Sequence, residues 1–405
     1  TNPCGEQPLL PNESCNLGSI NLSKFFTILP EVYDPAHQLK SEWRDLIDWN
    51  SLKETAQLAT RFLDNVIDAN YYATVEIEQM TKATRKIGLG VMGFSDLLLQ
   101  LRVGYNTSKG REIGREVMKF IQEVADETSI ELATERGEFP AWGRSEYAEK
   151  NIHIRNACRL SVAPTGTISM LADSASGIEP MFALAWKKQN VLEGEDFYYV
   201  NKYFEQLAKD FDFYTEELIG HISEGGSIQD REEVPDWVKE VYITVSDMLG
   251  EDHILMQAAF QKYCDAGISK TINFPAEAAL EDVEEAYMEA WRNDCKGVTV
   301  YRAGSREKEV LVSSVADTSG TVAFDLPVDM ELDFTEDAKP QAARQLAMVA
   351  IGENNAAKLA PLYEESPDTL QWIELQENCC DDPFLVEESG CTSCKNCGWS
   401  KCHIA

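Results

Sequence analysis

The sequence predicts an α/β core over about its first 310 residues, and three observations carry that prediction. Two short β-branched runs, SKTINFP (269–275) and CKGVTVYR (295–302), flank a helical stretch from about Leu280 to Trp291. RLSVA (159–163) has strand character and feeds a Pro-Thr-Gly-Thr turn. Residues 107–136 read as one long amphipathic helix with its charges outward. Strands separated by helices of this length belong to an α/β architecture. Periodicity does not separate a barrel from an open sheet.

Taken in order, residues 1–23 are loop-like, with Pro, Asn and Gly as punctuation, and ILPEVYDP (28–35) is a second break. A helical period starts near Ser41, and Leu58, Ala59, Phe62, Leu63, Val66 and Ile67 form one apolar stripe. The period is expected to continue through 77–103, with the glycines of IGLGVMG allowing close packing around helices. Residues 200–219 and 234–265 are helical again. Past about Leu311 the pattern fades: 317–390 holds 17 acids and three bases, and VDMELDFTEDAKP reads as a solvated linker, with one short helix possible at 341–360. The expected organisation is a catalytic body (1–311), an acidic linker (312–378) and a small cysteine-rich tail (379–405).

With 44% apolar residues the bulk should fold as a soluble globule, and no apolar run reaches the length of a membrane span. No basic, apolar leader is evident, so a cytoplasmic location is expected. A formal charge of −33 opposes direct DNA binding, which needs a basic face. It leaves room for a small phosphorylated ligand held by backbone N–H groups. The eleven cysteines are uneven: Cys4 and Cys15 at the front, Cys158, Cys264 and Cys295 singly in the body, and six in the last 27 residues. That distribution suits a cytosolic core with a metal or redox tail better than a disulfide-stapled secreted domain.

Asn2, Cys4 and Glu6 alternate. In an extended segment they would share one side, where an amide orients hydroxyls, a carboxylate takes a proton, and a sulfur acts as nucleophile or radical. Spacing alone also fits an ordinary buried cysteine beside a surface acid. A Cys–His hydrolase is disfavoured, because the nearest histidine is His37 and His153 and His253 look structural or exposed. The tail reads Cys391-x2-Cys394-x2-Cys397-x4-Cys402, preceded by Cys379 and Cys380. Such thiols bind zinc or exchange disulfides, and on an acidic tether a redox tail would have reach. One division puts Cys379 or Cys380 with Cys391 and Cys394 on a metal and leaves Cys397 and Cys402 free. Ala163-Pro164-Thr165-Gly166-Thr167-Ile168-Ser169 lacks a Walker lysine, yet it can offer N–H donors to an anion; an ordinary strand–helix turn is the other reading.

Together NPCGEQPLLPNESCNLGSINL, APTGTIS with SASGIEP, CKGVTVYRAGSR and the tail GCTSCKNCGWSKC resemble the large catalytic chain of ribonucleotide reductases, the adenosylcobalamin-dependent class above all. The resemblance implies the second half of a ten-stranded α/β barrel, beginning at the finger loop, with the N-terminal remainder of the same enzyme as its partner, whether on a separate chain or divided from it. It implies that Cys4 becomes a thiyl radical, that Glu6 is the general base, that Asn2 holds the ribose hydroxyls, and that Cys15 is half of a reducing pair whose other cysteine lies upstream. Pro164, Thr165, Gly166, Thr167, Ile168 and Ser169 would face the phosphates of a ribonucleoside di- or triphosphate. Cys397 and Cys402 would re-reduce the active site and be restored by thioredoxin or a similar carrier, while Cys379, Cys380, Cys391 and Cys394 would hold zinc. The completed enzyme is expected to be a homo-oligomer. Reductases driven by a di-iron subunit relay their radical through paired tyrosines. The corresponding stretch TVYRAG has Tyr301 alone, which favours cobalamin. The competing readings are a di-iron-dependent large chain and a non-catalytic zinc-binding interaction module.

Overall fold

The computed structural model describes residues 1–27, 42–191 and 195–305, with backbone only over 186–198, and the backbone of three short strands beyond residue 384. ILPEVYDP, His37, the linker 312–378, the helix expected at 341–360, and Cys379, Cys380 and Cys397 lie outside the described residues. The chain divides into two units, Thr1–Gly320 and Thr321–Ala405.

The first unit opens with a loop and strand β1 (Asn16–Asn21), followed by α1 (Trp49–Ala69) and α2 (Val75–Thr84). The Asp48 carboxylate caps α1 by accepting from the Ser51 N–H at 3.0 Å, and the Thr74 hydroxyl caps α2. Strand β2 (Ile87–Met92) then runs parallel to β1, pairing Asn16 with Ile87 through Asn21 with Met92. Here the reading of 77–103 as continuous helix is corrected. All six β2 residues are buried, so the segment lies between layers and shows no periodic face. After it come α3 (Phe94–Gln100), α4 (Ser108–Arg136), the one-turn α5 (Glu146–Glu149) and α6 (Gly166–Leu171). Helix α4 begins where predicted, capped by the Thr107 hydroxyl on the Gly110 N–H.

Strands β3 (Ala185–Val191) and β4 (Glu195–Val200) form an antiparallel hairpin, and α7 (Lys202–Asp210), α8 (Glu216–Ser223) and α9 (Asp236–Val241) follow. These helices enclose a second apolar cluster around Phe204, Leu218, Val238 and Tyr242. Helix α10 (Gly250–Gln261) packs on α4 and on β5 (Thr271–Phe274), which pairs in parallel with β6 (Thr299–Arg302) after α11 (Leu280–Arg292). The main core joins Ile20, Leu63, Val91, Met118 and Phe260. The α1 stripe is shifted from its sequence phase: Leu52, Ala56, Leu63 and Ile67 are buried, whereas Leu58 is 70% and Phe62 62% exposed.

The barrel implied by the resemblance is corrected. Among the described residues no sheet closes; the parallel strand pairs are β1–β2 and β5–β6, and between them lie only the isolated parallel bridges Leu89–Leu160 and Val162–Ile268. Closure needs a continuous ladder around the ring. The Asp265 carboxylate accepts from the Arg159 N–H at 2.8 Å and the Leu160 N–H at 3.2 Å, and the Gly267 N–H donates to the Glu6 carbonyl at 2.8 Å. Three backbone donors here thus serve a side chain and the front loop, while the Ala266, Val162 and Ser269 N–H groups pair segment 160–162 with 266–269. In the second unit β7 (Leu385–Glu388), β8 (Cys391–Cys394) and β9 (Ser400–Cys402) form an antiparallel sheet, with Leu385 opposite Cys394 and Cys391 opposite Cys402.

Candidate active site

The front loop is a closed turn rather than an extended segment. The Asn2 N–H donates to the Gln7 carbonyl at 3.2 Å, the Gly5 N–H to the Asn2 carbonyl at 3.2 Å, and the Gln7 N–H to Asn2 Oδ1 at 3.0 Å. Gly5 turns the chain at φ +80°, a region costly for any residue with a Cβ. The same-side alternation expected of Asn2, Cys4 and Glu6 is therefore not what the backbone provides. Cys4 is exposed at the tip, Asn2 is half-buried, and Glu6 is 2% exposed. Glu6 Oε2 is buried and has no hydrogen-bond partner among the described residues.

What seats this loop could not be read from spacing. The Glu6 carbonyl accepts from the Gly267 N–H and, at 3.0 Å, from the Ser161 hydroxyl, so the loop lies across the strand-like segments 158–162 and 266–269. Behind it, the buried Glu13 carboxylate accepts from the Leu10 N–H (2.8 Å), Lys86 Nζ (2.8 Å) and the Thr84 hydroxyl (2.5 Å). Ser161, Gly267 and Glu13 escaped sequence reasoning because each acts through backbone or across long separations. The nearest signal was Glu13 lying two residues from Cys15.

Cys15 is half-buried, and its thiol donates to the Asn16 carbonyl at 3.3 Å. Burial pushes this thiol well above the usual cysteine range; the neighbouring Cys158 and the carboxylates of Glu13 and Glu6 add to it, and Lys86 opposes. Glu6 and Cys15 thus lie within electrostatic reach of each other. Cys158 is buried and pushed up to about 12, again mainly by desolvation.

The second motif turns at Thr165, whose φ of +54° is unusual for a β-branched residue, and α6 starts at Gly166. Pro164, Gly166, Thr167 and Ile168 are exposed, whereas Thr165 and Ser169 are buried. Their hydroxyls point inward: Thr165 Oγ1 accepts from the Gly177 N–H at 2.7 Å, and Ser169 Oγ bonds Ser176 Oγ at 2.8 Å. An anion at this turn would meet the open N–H groups at the start of α6, while the hydroxyls tie the turn to SASGIEP.

In the tail, Cys391 and Cys394 lie on β8 and Cys402 on β9, while Cys379, Cys380 and Cys397 lie outside the described residues. Among the described residues no group of three or more His, Cys, Asp or Glu is placed to hold a metal ion. No helix among them is long and apolar enough to cross a membrane. His153 is exposed, stacked on Trp142 and 2.6 Å from Glu138, while His253 is fully buried.

Residues 1–154 and 150–301 match the family described as "Ribonucleotide reductase, barrel domain". A "Vitamin B12-dependent ribonucleoside-diphosphate reductase" of Thermoplasma acidophilum is 46% identical over 318 residues, covering 78% of this chain and 39% of that protein. One of Mycobacterium tuberculosis is 44% identical over 314 residues, covering 78% and 43%. The chain thus spans about two-fifths of the length of these relatives. Among solved structures, the "Actinobacillus ureae class Id ribonucleotide reductase alpha subunit" aligns with a TM-score of 0.58 at 25% identity, covering 74% of this chain and 52% of that one. With the family model matched from the front loop through β6, the chain belongs to the ribonucleotide reductase barrel-domain family.

Proposed function

We propose that this chain forms part of the active site of an adenosylcobalamin-dependent ribonucleotide reductase, acting on a ribonucleoside diphosphate. The observation that carries the reading is the front loop. It presents an exposed thiol at a glycine-turned tip, and two residues on it holds a buried carboxylate oxygen without a partner among the described residues. An accessible Cys4 fits a radical generator that approaches from outside this chain. When bound, adenosylcobalamin supplies homolytic radical chemistry.

The residues then divide the work. Cys4, as a thiyl, takes the 3′ hydrogen of the ribose. Glu6 Oε2 accepts the 3′-hydroxyl proton, which eases loss of the 2′-hydroxyl as water. The Asn2 carbonyl closes the loop, so orienting a ribose hydroxyl falls to its amide nitrogen. Replacing the 2′ C–O bond by C–H takes two electrons and two hydrogens. Cys15 and a second thiol outside this chain provide them, and a disulfide forms. The raised titration of Cys15 keeps it a protonated thiol, the form that can deliver hydrogen. The start of α6 holds the diphosphate. The cysteine tail (379–405), on the linker 312–378, re-reduces the disulfide through Cys397 and Cys402 and is restored by a thioredoxin-like carrier. The need for an upstream part is supported by Leu17 on β1 and Leu58 and Phe62 on α1, which stay exposed. The test is deoxyribonucleotide formation by this chain completed with the upstream part and adenosylcobalamin. Wild type should turn over and Cys4→Ser should not; turnover by Cys4→Ser would end the reading.

A further inference from the structure

Lysine is among the residues least often fully buried, yet Lys270, just ahead of β5, is 0% exposed. Its three ammonium donors are all used: Glu179 Oε2 at 2.6 Å, His253 Nδ1 at 2.7 Å and the Thr271 carbonyl at 2.6 Å. His253, also 0% exposed, must accept at Nδ1, so its proton sits on Nε2, which is buried and has no partner among the described residues. Desolvation, then the adjacent ammonium, push this histidine down to about 3, so it stays neutral. Glu179 completes the cluster: its Oε1 accepts from the Thr271 N–H at 2.7 Å.

The cluster anchors one end of a short run in which successive residues are pinned. The Ala175 N–H donates to Asp96 at 2.7 Å, Ser176 meets Ser169, the Gly177 N–H meets Thr165, and the Ile178 carbonyl accepts from the buried Tyr105 hydroxyl at 2.6 Å. The left-handed backbone at Thr165 persists only where its surroundings over-determine it. The 174–179 segment supplies those surroundings.

We propose that Lys270, with His253, is a positioning residue for substrate phosphate: through Glu179 it clamps segment 174–179 against Thr165 and Ser169 and so fixes the N–H groups at the start of α6. This rests on the reading of that turn as the phosphate site. The clamp touches no reacting atom, so it acts on binding rather than on the chemical step.

Two measurements on Lys270→Met and Glu179→Gln in the full chain, completed with its upstream part, test it. Amide hydrogen exchange at 169 and 177, whose N–H groups donate to Thr165, should quicken about tenfold or more while α4 keeps its protection. The KM for CDP should rise about tenfold with kcat within about threefold. Unchanged exchange in the turn overturns the clamp. Faster exchange with an unchanged KM, or a fall in kcat alone, overturns its role in phosphate positioning. Should Lys270→Met lose α4 protection, Glu179→Gln, which keeps side-chain volume, carries the test. A wild-type enzyme that reduces no nucleotide removes the functional reading and the positioning role with it, and exchange then reports on the clamp alone.

Discussion

Gly267→Ala should disable the front loop with little damage to the fold. A Cβ at Gly267 would stand 2.5 Å from the Gly5 carbonyl oxygen and 3.1 Å from Glu6 Cα. Both are backbone atoms and cannot swing aside. Ordinary contact begins near 3.4 Å, so the loop must retreat by about 0.9 Å. The backbone at Gly267 is not left-handed, so alanine meets no conformational penalty there and the effect is steric. The retreat also stretches the bonds from Gly267 and Ser161 to the Glu6 carbonyl. A misplacement of about 1 Å costs roughly 100-fold in rate, or about 2.7 kcal/mol of barrier. The overpacking itself costs about 1–3 kcal/mol of stability. The assay is deoxyribonucleotide formation by the completed enzyme, with thermal unfolding measured alongside. Gly297→Ala is an internal control, because its Cβ would stand 3.2 Å from the same Gly5 oxygen and needs a far smaller adjustment. A Gly267→Ala enzyme that stays folded and turns over within about threefold of wild type would refute the argument that this contact sets the loop.

Three further outcomes are expected. Alkylation of Cys15 by iodoacetamide needs the thiolate, and burial raises its titration, so its rate should still climb with pH well past the ordinary thiol value of about 8.5; a plateau near pH 9 in a mass-resolved time course would contradict this. Asp64 is fully buried and accepts from Arg85, Arg136 and Asn156, so Asp64→Ala should lower unfolding free energy by about 3–5 kcal/mol in urea titration, and a loss under about 1 would mean that the network is dispensable. The Arg85 hydrogen bond holds the half-exposed Asp68 carboxyl below its ordinary 3.8, so its contribution is present above that pH and is lost as pH falls through the depressed folded value. Asp68→Asn should therefore flatten the acid limb of stability against pH, and an unchanged limb would assign it to other carboxylates.

How much of this was legible in the sequence depends on how far apart the cooperating atoms lie along the chain. Helix α4 was plain because 29 residues repeat one local rule, whereas the six residues of β2 are buried on every side and carry no period at all. The apolar stripe of α1 was misphased for a related reason: Asp64 and Thr60 face inward because Arg85 and a helix carbonyl satisfy them, and composition alone sends such residues outward. At the candidate site, the spacing of Asn2, Cys4 and Glu6 singled these residues out but implied an extended geometry that the loop does not have. Spacing assumes an extended chain, and a carbonyl-to-N–H closure three residues long folds this one. The same closure separates the exposed Cys4 from the buried Glu6. On the proposed reading, an exposed Cys4 would meet a radical source while Glu6 stays dry, a division that a flat, same-side arrangement would not provide. The groups that hold the front loop, Gly267 and Ser161, lie 150 or more residues from Glu6, and the Lys270 cluster that braces the second turn joins partners 17 and 91 residues apart. Local patterns therefore proposed the site residues, and only the folded chain could name the contacts that seat them.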